Sequence, residues 1–394
     1  MAIFGKWIEM KFLASTLALM PFALPALLSG PFTLTSYAQT GGKPAMEIGS
    51  EKVVTLSRTA VSKTRPEFTS ITLAPGRGME IIQITANFPG KGNVNVLASP
   101  DMLDVDDDAF GNLGYRLGAA FLAPYPNRIR GPLSADGKTI TTAWQGHTLT
   151  LPANNIGMLP TAERHAMHGL ILKAQVSDVK VSKIPGGEQV VGVLHAGDFG
   201  GHWLSKTDLV ITITLSAEAA EASIVARNVG SVDEPMALAW HPYFNLPSGD
   251  RAQARIRIPG ALSAGIDNYD NVFPTGSLTP VAGTRYDLNA PGGVALGTNY
   301  FDDNWSRLQW KNGAVTVEVV DPAAHYGVKI EGLSPEISSI QMYAPPDKSF
   351  AAIEHQYNLA DPFGKEWGST GTGMVTLEPG QSTKWHVRLK VFVP

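Results

Sequence analysis

Cysteine is absent from all 394 residues. That absence excludes disulfides, a thiolate nucleophile and cysteine-ligated zinc, so the fold rests on its core alone. Charge is sparse as well: 17% of residues are Asp, Glu, Lys or Arg, the formal net charge is -4, and there is no long basic run. Phosphate binding needs clustered Lys and Arg, so nucleic acid is not an expected partner. Convincing amphipathic helices are scarce. What the chain does have is an apolar fraction of 44%, together with 40 Gly and 28 Pro spread throughout. This is enough for the core of one large β domain, cut into many short runs.

Between the breaks, β-branched and apolar residues fall at period two. Residues 81–86, 139–142, 170–181, 209–215, 222–228, 314–320, 337–343 and 385–392 read as strands. Asp136-Gly137 and Asn312-Gly313 are two-residue hairpin signals. Many short strands with regular turns predict an all-β fold, most simply one large antiparallel β-sandwich.

The N-terminus has a different character. Lys6 and Lys11 precede an apolar stretch over 12–28, and the run ends near Ser36-Tyr37-Ala38. A basic start, an apolar middle and a small-x-small site describe a secretory signal peptide over 1–38. The alternative is a membrane anchor, against which stand Pro21, Pro25 and Pro31 within the run. The expectations are a lead-in segment over 39–65, a β-sandwich domain over 66–394, and a periplasmic or secreted protein. No second apolar span is long enough to cross a bilayer, so no stable membrane insertion is expected after cleavage.

Five segments could carry chemistry. His241-Pro242-Tyr243-Phe244-Asn245-Leu246 follows a predicted strand and places an imidazole at its end; histidine exchanges protons near neutral pH. Composition alone favours a structural histidine at a turn. Glu354 closes the apolar run of Ala351, Ala352 and Ile353, where partial burial raises a carboxyl pKa and suits it to act as a base; an exposed strand end is an equal alternative. Asn127-Arg128-Ile129-Arg130 places two arginines on one face of a strand, as hydroxyl-binding forks or as a surface charge pair. His165 and His168 have a His-x-x-His spacing, but no His-Glu-x-x-His pattern accompanies it, and no metal is expected. Phe301-Asp302-Asp303-Asn304-Trp305 pairs acids with an aromatic, a way to grip a sugar or simply an acidic turn.

The order of these motifs is more specific than any one of them. Asn127-Arg128-Ile129, His168-Gly169, His241-Pro242-Tyr243-Phe244-Asn245-Leu246, Asp302 and Glu354-x-Gln356 resemble, in sequence, the aldose 1-epimerases, also called galactose mutarotases. The resemblance spans roughly 66–394. The segment from Leu73 to Met79, with Pro89-Gly90-Lys91-Gly92, resembles a subset of bacterial members. The resemblance implies a large antiparallel β-sandwich of the galactose mutarotase-like type and interconversion of the α and β anomers of a free hexose such as glucose or galactose. It implies Glu354 as general base and His241 as general acid. Arg128, His168, Asp302, Asn127 and Gln356 would bind the sugar, and no cofactor is needed. The chain departs from the family in having Leu170 after His168-Gly169, where a second glycine is frequent, and His355 inside the Glu-x-Gln motif. Two alternatives stand beside this reading: a non-catalytic carbohydrate-binding protein, and a hexose-6-phosphate 1-epimerase using Arg128, Arg130 and Arg164 for the phosphate.

Overall fold

The computed structural model describes residues 47–99 and 118–394. Two large sheets dominate it. A nine-stranded sheet runs in the spatial order Asp178–Ile184, Gly187–Gly197, Thr207–Leu215, Ala220–Asn228, Ser382–Phe392, Tyr326–Gly332, Val315–Asp321, Arg255–Arg257 and Val294–Ala295. An eleven-stranded sheet has at its centre Phe301–Leu308, Ser339–Ala344, Phe350–Gln356, Ala239–Asn245 and Ala119–Leu122, in that order. Neighbouring strands pair antiparallel. The expected all-β sandwich is therefore the fold. Among the described residues no helix is long and apolar enough to cross a membrane.

The inner faces follow from period-two patterning. In Thr207–Leu215, alternate residues from Thr207 to Leu215 are fully buried and those between are half-buried. Leu209, Ile211 and Ile213 join one core cluster with Ile84, Phe121, Phe244, Met342 and Ile353 of the other sheet. The Trp385 ring contacts the rings of Phe121 and Trp240 across the sandwich, with centroids 6.4 and 6.5 Å apart. The eleven-stranded sheet differs in its middle. Ala239–Asn245, Phe301–Leu308 and Phe350–Gln356 are buried almost throughout, on both faces. One face packs on the core, and the other floors a cleft lined by polar groups.

Most expected strands are present, with three differences. Over 170–181 the ladder begins only at Asp178. Ile171, Leu172 and Val176 are buried, but as a loop: Val176 donates to the Pro75 carbonyl and Gly78 donates to that of Ala174. Their apolar character serves burial rather than strand pairing. Part of the expected lead-in already belongs to the eleven-stranded sheet, since Val54–Ser57 pairs with Glu67–Ala74 and Leu56 enters the core, while Glu47–Ile48 and Glu51–Lys52 pair in a ribbon of their own. Finally, the two hairpin signals close single bridges, Leu133 to Ile140 and Lys311 to Ala314, rather than long ladders. Asn312 and Gly313 adopt φ of 53° and 76°, as the tight turn requires. The expected signal peptide, 1–38, lies outside the described residues.

Candidate active site

The cleft is assembled from register. On the eleven-stranded sheet, Asn304, Gln341 and Glu354 stand in one cross-strand row, and Asp302, Tyr343, Ala352 and Tyr243 in the next. His241 lies two residues before Tyr243, on the same face of its strand. Arg128 and His168 arrive from a small ribbon in which Met167 pairs with Arg128. Asn127, Arg128, His168, His241, Tyr243, Asp302, Gln341, Tyr343 and Glu354 line a cavity of about 850 Å³, within the range of small-molecule sites.

The ribbon is bent sharply to aim them. Asn127 and His168 have φ of 62° and 61°, the left-handed region that L-residues enter at a cost. The His168 N–H donates to the Asn127 carbonyl at 2.9 Å and holds both in place. Gly169 follows at φ 74°, and a Cβ there would stand 2.3 Å from the Ala123 carbonyl oxygen. This accounts for the His-Gly pair.

His241 Nε2 lies 3.2 Å from Glu354 Oε1, and both residues are buried. The His168 and His241 rings meet edge to face with centroids 4.9 Å apart, and Tyr243 stacks on His241 at 4.9 Å. Ligand-type atoms of His168, His241 and Glu354 all fall within 4.8 Å of one another. Such convergence can hold a metal ion, and it equally puts an acid and a base onto one small volume. Around the pair runs a hydrogen-bonded chain. Gln356 Nε2 donates to Glu354 Oε2 at 2.8 Å. Asn127 Nδ2 donates to Gln341 Oε1 at 3.1 Å, and Gln341 Nε2 donates to Asp302 Oδ1 at 2.7 Å. The Arg128 guanidinium donates to Asp302 Oδ2 at 3.0 Å and to Asn127 Oδ1 at 3.1 Å.

Burial sets the proton balance. It pushes the Glu354 carboxyl up to about 8, against the pull of the Gln356 hydrogen bond and with a further push from the Asp302 charge. It pushes the His241 imidazole down to about 3, and the Arg128 charge adds to this. His168 is driven well below its ordinary value by burial, then by His241 and Arg128. Both shifts in the central pair oppose ionisation. The pair therefore holds one proton between Glu354 and His241, in its neutral form.

The structure brings Glu354, His241, His168, Arg128, Asn127 and Asp302 together in one cleft. Gln356 is placed differently from expectation: it is fully buried, is not among the residues lining the cavity, and reaches the site through Glu354, to which it donates, and Asn127, from which it accepts at 3.5 Å. Arg130 does not share the cleft with Arg128. It pairs with Glu163 at 3.2 Å and lines a separate groove with Arg164. His165 is also apart, with its ring nitrogens 2.9 Å from the Glu163 carbonyl and from Asn155 Nδ2. His355 faces the opposite sheet, where it crowds Gly332. Gln341 is a site residue that the sequence pattern did not single out, and Asn304 supports it by donating to its Oε1 at 3.3 Å. A glutamine between Ile340 and Met342, in phase with Tyr343, was the signal available for Gln341.

Comparison with known proteins agrees with this architecture. The sequence profile described as aldose 1-epimerase matches residues 98–390. A galactose mutarotase-like protein from Clostridium acetobutylicum superposes with a TM-score of 0.69 at 20% identity, covering 89% of this chain and 98% of its own. An aldose epimerase homologue from C. elegans gives 0.62 at 17% identity, covering 86% and 99%. The galactose 1-epimerase from Lactobacillus acidophilus NCFM gives 0.61 at 15%, covering 87% and 99%. A comparison with curated protein sequences gives no match. At these identities the structural likeness speaks for the fold, while the profile covers most of the chain: this protein belongs to the aldose 1-epimerase family.

Proposed function

We propose that the protein is a mutarotase, interconverting the anomers of a free hexose by ring opening and closure. The observation that carries this is the 3.2 Å approach of His241 Nε2 to Glu354 Oε1 at the base of a sugar-sized cleft. The anomeric hydroxyl O1 and the ring oxygen O5 are both bonded to C1. An acid and a base serving them must therefore converge on one small volume, as this pair does. In the forward direction the shared proton first passes from Glu354 to His241 across 3.2 Å; Glu354, now a carboxylate, takes the O1 proton while protonated His241 delivers one to O5. The C1–O5 bond breaks, C1 becomes an aldehyde, and rotation about C1–C2 presents its other face. On closure the two groups exchange roles. One proton suffices for the pair throughout, and each positioned group contributes about 10²–10⁴-fold. The Arg128 fork and the Asp302 carboxylate hold sugar hydroxyls, since they offer donors and an acceptor in a buried polar network.

A phosphorylated hexose fits less well, because Arg128, Arg130 and Arg164 do not converge on one cavity. Polarimetry of freshly dissolved α-glucose and α-galactose tests the proposal. Wild type accelerates equilibration and Glu354→Gln does not. Saturable binding of either sugar with no rate above buffer would assign the cleft to carbohydrate binding alone.

We propose export as well, supported by the basic, apolar and small-x-small pattern that ends at Ala38. N-terminal sequencing of the protein from a periplasmic fraction tests it. A retained leader in the cytoplasmic fraction refutes it.

A further inference from the structure

Arg128 sits on one of the shortest strands of the fold, Arg128–Ile129. One edge of that strand pairs with Ala166–Met167, which leads directly into His168. Two residue pairs do not make a stable ribbon by themselves. On the other edge stands a single residue, Asp361, buried to 1% exposure. Its backbone N–H donates to the Arg128 carbonyl at 2.6 Å. Its Oδ1 accepts the Arg130 N–H at 3.1 Å. One residue thus offers the strand both the donor and the acceptor that a whole neighbouring strand would supply. Asp361 adopts φ of 46° to do so, a conformation that costs free energy and persists only where its surroundings impose it.

We infer that Asp361 is a positioning residue: it clamps the peptide on both sides of Ile129 and so aims Arg128 at the sugar. The inference rests on the mutarotase reading. Burial and the neighbouring Glu366 carboxyl push Asp361 up to about 8, against the pull of the Arg130 N–H and charge, so the two carboxyls share a proton at neutral pH. An asparagine therefore imitates it. The amide oxygen accepts the Arg130 N–H as Oδ1 does, and the amide N–H₂ takes the place of the uncharged acid.

Arg128 holds sugar in ground and transition states alike, so loss of its aim is read mainly in KM. With glucose or galactose, Asp361→Ala raises KM by about tenfold or more and changes kcat by less than about threefold. Asp361→Asn restores KM to within about threefold of wild type. In an Arg128→Ala background, Asp361→Ala has no further effect on KM, because the path to the sugar is already cut. If Asp361→Ala does not fold, Asp361→Ser takes its place. An unchanged KM in the alanine or serine variant overturns the inference. So does a purely additive effect with Arg128→Ala, or an asparagine variant no better than the alanine one. If the wild-type protein shows no mutarotation, the mutarotase reading fails, and the same comparisons made on the Kd for sugar by calorimetry still decide the clamp.

Discussion

Replacing Glu354 by glutamine perturbs the fold and the site in opposite directions. Burial holds the carboxyl at about 8 against an ordinary value of 4.5. In the unfolded chain the same group ionises near its ordinary value. A raised folded pKa contributes stability that is complete below the unfolded pKa and is lost as pH rises through the folded one. Between about pH 4.5 and 8 the wild-type protein therefore loses about 1.4 kcal/mol per pH unit from this residue. At pH 7, about 2.5 units into that window, the loss is about 3 kcal/mol. This is an upper bound, because His241 at 3.2 Å offers the carboxylate a proton. Glutamine has nearly the same shape and no charge, and its amide oxygen accepts from Gln356 as the carboxylate does. Urea unfolding at pH 5, 6 and 7, followed by tryptophan fluorescence, measures the difference. The variant matches wild type within about 1 kcal/mol at pH 5 and exceeds it by about 2–3 kcal/mol at pH 7, while the catalysed rate falls by about 10²–10⁴. Two stability curves that run parallel in pH would falsify the reasoning, since they would mean that Glu354 is not held above its ordinary value.

Other perturbations read the same site. The pair works with one proton, so kcat/KM falls about tenfold per unit above about pH 8, where Glu354 loses it; a flat profile to pH 10, corrected for the buffer reaction, contradicts this. On the acid side the second proton goes to His241, near pH 3, so the plateau extends down to the limit of folding. Arg128→Lys keeps the charge but loses the fork that spans Asn127 and Asp302, and raises KM by about tenfold in steady-state assays. Asp302→Ala leaves the Arg128 guanidinium buried without its carboxylate and destabilises by about 3–5 kcal/mol; a loss under about 1 kcal/mol in urea unfolding shows that the pair is solvated.

The sandwich was legible from period two alone, whereas the central pair also needed the order of motifs that resembles the aldose 1-epimerases, since each residue by itself had an equal or better structural reading. Period-two patterning locates strands, and a polar residue in phase with the cleft side stands out against apolar neighbours. Glu354 after Ile353 and His241 after Trp240 both have that form. Gln341 has it too and was passed over, because an amide carries no charge to draw attention. The segment from Leu170 to Val176 misled for the converse reason: burial demands apolar residues whether the backbone pairs with a strand or with a turn at Pro75. Arg130 could not be separated from Arg128 by spacing. The strand ends at Ile129, and beyond it period two no longer governs which way a side chain points. Asp361 was invisible because its work is done by one backbone N–H and one side-chain oxygen, in a loop whose partner lies more than 200 positions earlier.

The pleat that sets Glu354 and His355 on opposite faces also separates two kinds of evolutionary freedom. On Ser339–Ala344 and Phe350–Gln356, Gln341, Tyr343 and Glu354 line the cleft, while Ile340, Met342, Ala351 and Ile353 between them are sealed in the core. Substitutions at Gln341 or Tyr343 can thus alter what the cleft accepts while Trp305, Met342 and Ile353 continue to hold the fold together. An insertion or deletion has no such latitude. Shifting Phe350–Gln356 by one residue would turn His355 to the cleft and Glu354 to the interior, losing chemistry and core at once. Length in these strands is therefore rigid where composition on the cleft face is adaptable, and a new ligand preference is reached by exchanging alternate residues.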